Sequence, residues 1–265
     1  MKEYFKEQLC NLSSILYFAK IDLAKSYRGA FLGWFWAIFK PTFTIFVYYF
    51  TFTIGLRTSK VMFGYPYFLW LISGIIPWFF INDVLHQGSE SIRKYDYLVT
   101  KVKFPVSIIP TFSTLSKFIV HLILTTLVIL IFALSKYELS IYIIQLPFYM
   151  ILMFIFLNFL NLGLSSLSAI SKDFFNFIKS TIFAIFWLSG VIWDPSLINI
   201  EWLKKILFLN PITFIVNGYR NSFVKHIWFW KEPTSLLFFL LLTLGTIIFS
   251  IAIYKRIKKD IPDLL

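Results

Sequence analysis

The stretch Val106–Leu134 reads VSIIPTFSTLSKFIVHLILTTLVILIFAL and carries one Lys or Arg, Lys117, and no Asp or Glu. A helix of about 20 mostly apolar residues crosses the hydrocarbon core of a bilayer, which is about 30 Å thick. This stretch is long enough to do so and predicts an integral membrane protein. Similar stretches recur, so the sequence predicts an all-α polytopic protein with six spans: Leu32–Leu56, Pro66–Leu85, Val106–Leu134, Ile141–Leu164, Phe177–Trp193 and Ser235–Tyr254.

The composition also indicates a membrane location. Of the 265 residues, 58% are hydrophobic and 14% are charged, against about 45–50% apolar and about 25% charged in soluble domains. So little polar chain is left that residues 1–265 are predicted to form one membrane domain. The 25 Lys and Arg exceed the 13 Asp and Glu, which favours the inner face of a membrane over nucleic acid. The single cysteine, Cys10, excludes an intrachain disulfide.

Residues 1–30 precede the first predicted span. Apolar side chains recur there at steps of three and four, with lysines between them, which is typical of an amphipathic helix. The segment is too polar to cross a bilayer, so we expect a helix in the cytoplasmic interface. Charged residues interrupt it too often for a cleaved signal peptide. The apolar positions are Phe5, Leu9, Leu12, Leu16, Ala19 and Leu23.

The distribution of Lys and Arg predicts that both termini are cytoplasmic, because more basic residues then lie on the inner side of the membrane. In this orientation residues 194–233, termed the outer segment, lie outside. The outer segment mixes short apolar runs with Pro, Asn and Gly, which predicts re-entrant helices that close the outer mouth of a cavity. The candidate residues of this extracellular gate are Trp193, Asp194, Trp202, Asn210, Pro211 and Arg220.

Motifs for catalysis are missing from the sequence. No Gly-x-x-x-x-Gly-Lys loop is present to bind nucleotide phosphates, and no metal or nucleophile motif occurs. The 3 histidines are scattered, and no carboxylate lies at the predicted membrane depth that proton-coupled transport requires. The sequence predicts that the chain is not an enzyme and binds no cofactor or metal itself. A membrane enzyme acting on polyprenyl-linked sugars is the less favoured alternative.

Thr114, Lys117, His121 and Thr125 form one polar helix face in the third span, since they follow one another at steps of three and four. At 1.5 Å per residue, Lys117 lies roughly 16 Å from the start of this span, near the bilayer midplane. A polar face is costly against lipid, so it faces the bundle. Two roles stay open: hydrogen bonds between helices, or the lining of a polar channel, for which Lys117 and His121 are candidates.

Phenylalanines form a second stripe, along the first span. Phe35 and Phe39 belong to a series of rings from Phe31 to Phe50 at helical spacing. Sugar faces stack on aromatic rings, so Phe35 and Phe39 are candidates for lining a glycan channel. Packing against helices or lipid tails is the alternative, and the 33 phenylalanines of the chain favour it.

Residues 89–103, termed the inner connection, join the inner ends of the second and third spans. Ser89 is a candidate helix cap, and Ile92, Tyr95 and Leu98 fall on one face of the helix that follows. This face is too short to span a bilayer, so we expect lipid headgroups or a partner protein to cover it. The charged side chains around it include Arg93, Lys94 and Asp96.

Four motifs carry a resemblance to a known family. YRGAFLGWFWAIFKP at Tyr27–Pro41 resembles the opening of type-2 ABC exporter permeases, which move polysaccharides and polyol phosphates. Ile76–Pro110 resembles the end of the family's second span, its cytoplasmic coupling helix and the start of its third span. LSAISKDFFNFIKS at Leu167–Ser180 resembles its second inner loop, with Lys172 for the usual Arg, and NPITFIVNGYR at Asn210–Arg220 resembles the motif before its last span.

The resemblance implies the type-2 ABC exporter fold and a homodimer that pairs with two copies of a separate ATPase, which holds the ATP and Mg. The substrate it implies is a polymer on an undecaprenyl diphosphate carrier in the bacterial cytoplasmic membrane. Lys25 and Arg28 are candidates for the diphosphate, and anchoring at the inner headgroups is their alternative role. The residues that would meet the ATPase are Arg93, Lys94, Tyr95, Asp96, Leu98, Lys172 and Asp173.

Two further stretches bear on the polymer. Gly55–Asn82 and Ser189–Ser196 most resemble the permeases for wall teichoic acid, which makes that polymer the expected substrate. Export of O-antigen or capsular polysaccharide is the alternative, and export of a small drug or lipid is a third. A wide polar channel would separate the polymer exporters from the last of these.

Overall fold

The computed structural model describes residues 2–29, 31–55, 61–100, 104–137 and 139–264. Residues 101–103 of the inner connection and Leu56 of the first predicted span lie outside the described residues. The described chain is helical apart from two short antiparallel strands, β1 (Val61–Met62) and β2 (Tyr65–Pro66). The α-helices are α1 (Lys2–Cys10), α2 (Leu12–Tyr27), α3 (Phe35–Tyr49), α4 (Tyr67–Asp83), α5 (Ser91–Lys94), α6 (Asp96–Thr100), α7 (Ile108–Leu134), α8 (Leu146–Ile170), α9 (Lys172–Leu188), α10 (Glu201–Leu209), α11 (Pro211–Arg220), α12 (Pro233–Ile257) and α13 (Ile261–Leu264).

Five helical stretches in the described part of the chain are long and apolar enough to cross a membrane. They correspond to the first four predicted spans and the last one. The predicted fifth span, Phe177–Trp193, differs: α9 has 17 residues, about 25 Å of helix, and ends at Leu188. The five stretches of the described residues that meet this criterion are Phe35–Gly55, Tyr67–Gly88, Ile108–Leu134, Ile141–Ile170 and Pro233–Ile257.

Helix α4 forms the centre of the bundle. Most of its residues are buried, and it packs against α7 and α11. Its apolar residues occur on all sides of the helix, which is expected of a helix inside a bundle. Trp70, Leu71 and Ile75 are completely enclosed in the main core. The remaining long helices, α8 and α12, pack along each other.

Helix α3 lies at the edge of the bundle. Among its residues Ala37 and Ile45 are buried, while the rings of its aromatic stripe are exposed. These rings stack on one another: Phe35 lies 5.2 Å from Phe39, and Phe39 lies 5.8 Å from Phe43, between ring centroids. The stripe is therefore a surface of the single chain, open to lipid or to another protein.

The N-terminal segment forms α1 and α2, separated at Asn11. Near the start of α7, the Gln8 amide of α1 donates to the Ser107 carbonyl. Further along α7, Lys117 forms an ion pair with Asp22 of α2. These two contacts are ten residues apart on α7, about 15 Å of helix. The segment thus follows the inner part of α7 instead of only crossing its end.

The buried face of these two helices differs from the predicted apolar face. Ala19 and Leu23 are buried, and the fully enclosed Asp22 lies between them. Helix α2 can bury this mixed face because α5 and α7 supply polar partners for the Asp22 carboxylate. The other predicted apolar positions are exposed: Phe5, Leu9, Leu12 and Leu16.

The outer segment contains short helices, of which α11 is inserted into the bundle. Its residues 212–220 are all buried, and it packs against α4, α8 and α12. The side-chain oxygen of Asn210 accepts from the Ile212 N–H and caps the helix, while Pro211 occupies its first turn. Helix α10 precedes it and leaves Trp202 exposed. The Asn-Pro pair therefore separates a surface helix from a buried one.

Candidate functional site

A cavity of about 480 Å³ lies between α2, α3, α4, α5 and α7. It is lined by lysines and a carboxylate beside aromatic rings, and it is termed the polar cavity. Its lysines come from three elements, Lys40 from α3, Lys94 from α5 and Lys117 from α7. Asp83, at the end of α4, is the carboxylate of the wall. The cavity is therefore a charged space beside an otherwise apolar bundle.

An apolar groove of about 400 Å³ adjoins the polar cavity. It is lined by α3, α4 and α7 almost entirely with aliphatic and aromatic side chains. Pro41 and Leu124 line both spaces. A charged space and an apolar one thus meet at the edge of the bundle.

The Asp22 carboxylate lies behind the polar cavity and is shared by side chains from two other elements. Its Oδ1 accepts from the Lys94 ammonium at 2.7 Å and from the Tyr95 hydroxyl at 2.6 Å, both in the inner connection. Its Oδ2 accepts from the Ser116 hydroxyl and from the Lys117 ammonium, at 3.3 Å, both in α7. We term these five residues the Asp22 cluster.

The charge of Asp22 is set by these partners. Burial alone would raise the pKa of this carboxyl, but Lys117 and Lys94 outweigh burial and hold the pKa well below its usual value. Burial and the Asp22 carboxylate raise the pKa of Tyr95 far above its usual value. Asp22 is therefore ionised at neutral pH, and the Tyr95 hydroxyl keeps the proton that it donates to it.

The polar stripe of the third span lies on α7 and faces other helices. Thr114 accepts from the Asn161 amide at 3.0 Å, and the His121 ring lies 2.7 Å from the Tyr219 hydroxyl. These contacts join α7 to α8 and α11, the interhelical role that the sequence left open. Lys117 and His121 also line the polar cavity, so the channel role keeps both of its candidates.

The inner connection forms two short helices, α5 and α6, instead of one. Its apolar face is buried in the chain itself, which corrects the prediction that lipid headgroups or a partner cover it. Ile92, Tyr95 and Leu98 pack in a core with residues of α2, α7 and α13. Ser89 is not a helix cap, because its hydroxyl donates to the backbone carbonyl of Leu85 in the preceding turn.

The other face of the inner connection is exposed. Arg93 does not belong to this face, because it donates to the backbone carbonyls of Ser168 and Ala169 at the end of α8. Lys172 and Asp173 follow directly at the start of α9, so they lie near this anchor. The exposed side chains that a partner could meet here are Glu90, Lys94, Asp96, Tyr97, Lys172 and Asp173.

Lys25 and Arg28, the candidates for the carrier diphosphate, do not line the polar cavity. The Lys25 ammonium lies 5.3 Å and 5.5 Å from the ring centres of Tyr95 and Tyr97. Cation–π contacts at exposed sites contribute about 0.5–1 kcal/mol. Arg28 is exposed just after the end of α2. Lys25 of α2 thus contacts the inner connection. The lysines that line the polar cavity belong to α3, α5 and α7.

Arg220 organises the opposite end of the bundle. Its guanidinium is completely buried and donates to the backbone carbonyls of Gly190, at 2.7 Å, and Val191. It also lies over the Trp70 ring, with its Cζ atom 3.6 Å from the ring centre. Arg220 thus fixes the turn after α9 against α4 and α11.

Other residues of the predicted gate lie in the same region. Asp194 pairs with Lys225 at 3.2 Å, and this pairing lowers the pKa of its carboxyl although burial alone would raise it. Asn210 donates to the Ser189 hydroxyl at the end of α9. Trp193 donates from its indole N–H to the Trp187 carbonyl. Asn210 and Arg220 therefore connect the outer segment to the end of α9, while the Asp194 ion pair lies within the outer segment and Trp202 is exposed.

The ABC-2 type transporter family matches residues 14–224. The chain belongs to this family. It is similar to the O-antigen export system permease protein RfbA of Myxococcus xanthus, at 25% identity over 209 residues, 77% of this chain and 78% of the relative. Two proteins of the same name from Klebsiella pneumoniae are 23% and 25% identical to it over 247 and 250 residues, 92% of either chain.

Membership of the ABC-2 family makes the chain a multi-pass membrane protein and the permease subunit of a transporter rather than a catalytic subunit. The family carries no nucleotide site and implies an ABC ATPase as partner. In the described part of the chain, no group of three or more His, Cys, Asp or Glu could hold a metal ion.

Proposed function

We propose that this chain is the permease of an ABC exporter that moves a lipid-linked polysaccharide across the cytoplasmic membrane of a bacterium. The family match over residues 14–224 is the observation that carries the proposal. Three relatives that align with over three quarters of the chain support the polysaccharide, since each is named an O-antigen export permease. They favour the polysaccharide over wall teichoic acid, which the sequence resemblance placed first.

The chain crosses the membrane six times in this proposal, with α9 as the fifth crossing. His86, after one end of α4, contacts the Phe175 ring near the start of α9. Tyr67, at the other end of α4, donates to the Ile192 carbonyl just after α9. Residues 172–192 therefore run the whole length of α4, which supports a crossing there. An even number of crossings places both termini on one side of the membrane, as the predicted cytoplasmic location of both requires.

The exposed aromatic surfaces support a second copy of the chain as a partner. On α9, Phe183 and Trp187 are exposed, as is the stripe of α3. Contiguous apolar surface of this kind marks an interface or a lipid contact. A dimer that joins these faces would place Phe35 and Phe39 between two copies, where rings could line a glycan channel.

The polar cavity supports a phosphate-bearing lipid as the ligand. Lys94 and Lys117 pair with Asp22, whereas the described residues give Lys40 no ion pair. Asp83 shares the wall of the cavity with Lys40, but the two described side chains form no ion pair, so the Lys40 ammonium can still donate to phosphate oxygens. The apolar groove would then take the first part of the polyprenyl chain. We place the carrier diphosphate at Lys40, in preference to the predicted Lys25 and Arg28.

Deletion of the gene in its own bacterium tests the proposed function. The polymer should stay on its lipid carrier inside the cell, and a plasmid copy of the gene should restore it to the surface. The composition of the trapped polymer separates the two candidates, since polyol phosphate units indicate a teichoic acid and sugars alone a polysaccharide. Unchanged surface polymer in the deletion strain would contradict both.

A further inference from the structure

One carboxylate joins three elements that are separate in sequence. Asp22 belongs to α2, two of its donors belong to the inner connection, and the other two belong to α7. The carboxylate is fully enclosed, so it depends on these donors. A buried charge that loses its partner is strongly unfavourable. The three elements are therefore held to one another as long as Asp22 stays buried.

The Asp22 cluster reaches from the partner-facing surface to the polar cavity. Lys94 is 38% exposed at its side chain, on the charged face of the inner connection, and it also lines the cavity. Ser116 and Lys117 line the cavity from α7. A displacement of the inner connection would pull on Asp22 through Lys94 and Tyr95. It would then move the part of α7 that forms the cavity wall.

We propose that Asp22 is a positioning residue that transmits movement of the inner connection to α7 and so couples ATP hydrolysis to export. This rests on the proposed function, in which an ATPase binds the exposed face of the inner connection. The carboxylate touches neither nucleotide nor polymer. Its role is to keep the inner connection, α2 and the cavity wall moving as one unit.

Two variants separate transmission from simple packing. Asp22→Asn leaves the buried Lys117 ammonium without its carboxylate and is expected to lower the folded yield. The double variant Asp22→Asn with Lys117→Met removes that unpaired charge and should recover the yield. Lys117→Met alone is the reference for export, because Lys117 also lines the polar cavity. If Asp22 only stabilises the fold, the double variant should export as much polymer per ATP as Lys117→Met. If Asp22 transmits movement, the double variant should fold, bind the ATPase and hydrolyse ATP, yet export at least tenfold less polymer per ATP than Lys117→Met.

A milder variant tests the same link without removing a charge. Tyr95→Phe keeps the ring in its contact with Phe112, where the centroids lie 5.0 Å apart, and removes only the hydroxyl that donates to Asp22. We expect polymer exported per ATP to fall about threefold. Glu3→Gln is the matched control, because Glu3 forms an exposed ion pair with Lys258 at 3.3 Å, outside the cluster. Its coupling should equal that of the wild type.

The measurement is ATP hydrolysed and lipid-linked polymer exported by purified complexes of each variant with the ATPase, per folded complex. Equal polymer per ATP in the double variant and in Lys117→Met, with wild-type coupling in Tyr95→Phe, would overturn the proposal. Loss of ATPase binding in Tyr95→Phe would also overturn the proposal. Asp22 would then shape the surface that binds the ATPase instead of transmitting the movement of the inner connection. The wild-type complex reports on the proposed function by itself: if it exports no polymer, the function is wrong whatever the variants do.

Discussion

The two ends of the bundle bury charge in different ways. At the inner end, Asp22 is held by side chains from two other elements, among them Lys94 and Lys117. At the outer end, Arg220 donates to the backbone carbonyls of Gly190 and Val191. The Asp22 carboxylate is thus paired with flexible side chains, whereas the Arg220 guanidinium is paired with backbone carbonyls whose positions are fixed by the fold.

This difference indicates which end can move. The backbone carbonyls that hold Arg220 shift only if the turn after α9 shifts. The ammonium groups of Lys94 and Lys117 stand on flexible four-carbon stems and can follow a moving partner. The outer end therefore has the properties of a fixed frame and the inner end those of a joint. A joint at the inner end is what an ATPase on the cytoplasmic side requires.

The largest effect is expected at the outer end, from Arg220→Met. The change leaves two buried carbonyls unpaired, and each unsatisfied group costs about 1–3 kcal/mol. The contact with the Trp70 ring is lost as well. We expect a loss of about 3 kcal/mol of stability. Heating the detergent-purified protein and measuring the folded fraction by size-exclusion chromatography checks it.

Arg256→Met is the control for this prediction. Arg256 is exposed at the end of α12, so the same loss of charge and shape should leave the melting curve unchanged. Equal melting curves for Arg220→Met and Arg256→Met would show that the outer end is no fixed frame, and the contrast between the two ends would be lost.

A smaller effect is expected at the inner end, from Lys40→Met. Lys40 is exposed and has no ion pair among the described residues, so the melting curve should not change. If Lys40 binds the carrier diphosphate, the variant loses one charge-assisted hydrogen bond, about 1.5 kcal/mol. That loss should raise the KM for the lipid-linked polymer about tenfold at constant kcat. Polymer-stimulated ATPase activity of the complex measures both constants.

Lys20→Met serves as the comparison, since Lys20 is an exposed lysine of α2 that does not line the polar cavity. Its KM should match that of the wild type. Should both variants raise the KM equally, the effect would come from the overall charge of the inner surface, and the diphosphate would not bind at Lys40.

Much of the fold could be predicted from the sequence because a sufficiently long apolar stretch is enough to predict a membrane span. The stretch Ile108–Leu134 contains one basic residue and was predicted with boundaries within two residues of the observed helix. Helix α9 was placed less well, because Lys172, Asp173 and Lys179 shorten its apolar part. Its first turn is capped by Ser171, whose hydroxyl accepts from the Asp173 N–H, so the helix begins before its apolar part.

The candidate site was harder to predict. Periodicity correctly grouped Ile92, Tyr95 and Leu98 on one face, but it does not say which surface covers that face. Asp22 was missed altogether. The available signal was a carboxylate between two apolar positions of an amphipathic helix, Ala19 and Leu23, where a charge needs a partner. The partner could not be named, because Lys117 lies 95 residues away.

The most direct test of the account is transport by the purified permease and its ATPase in vesicles that contain the lipid-linked polysaccharide, with the ATPase on the outside. The account predicts that added ATP makes the polymer resistant to a glycan-degrading enzyme supplied outside, because the polymer moves into the lumen. A complex with catalytically inactive ATPase should leave it fully degradable. If the active complex hydrolyses ATP and the polymer stays degradable while a small amphiphile is moved instead, the central claim is wrong.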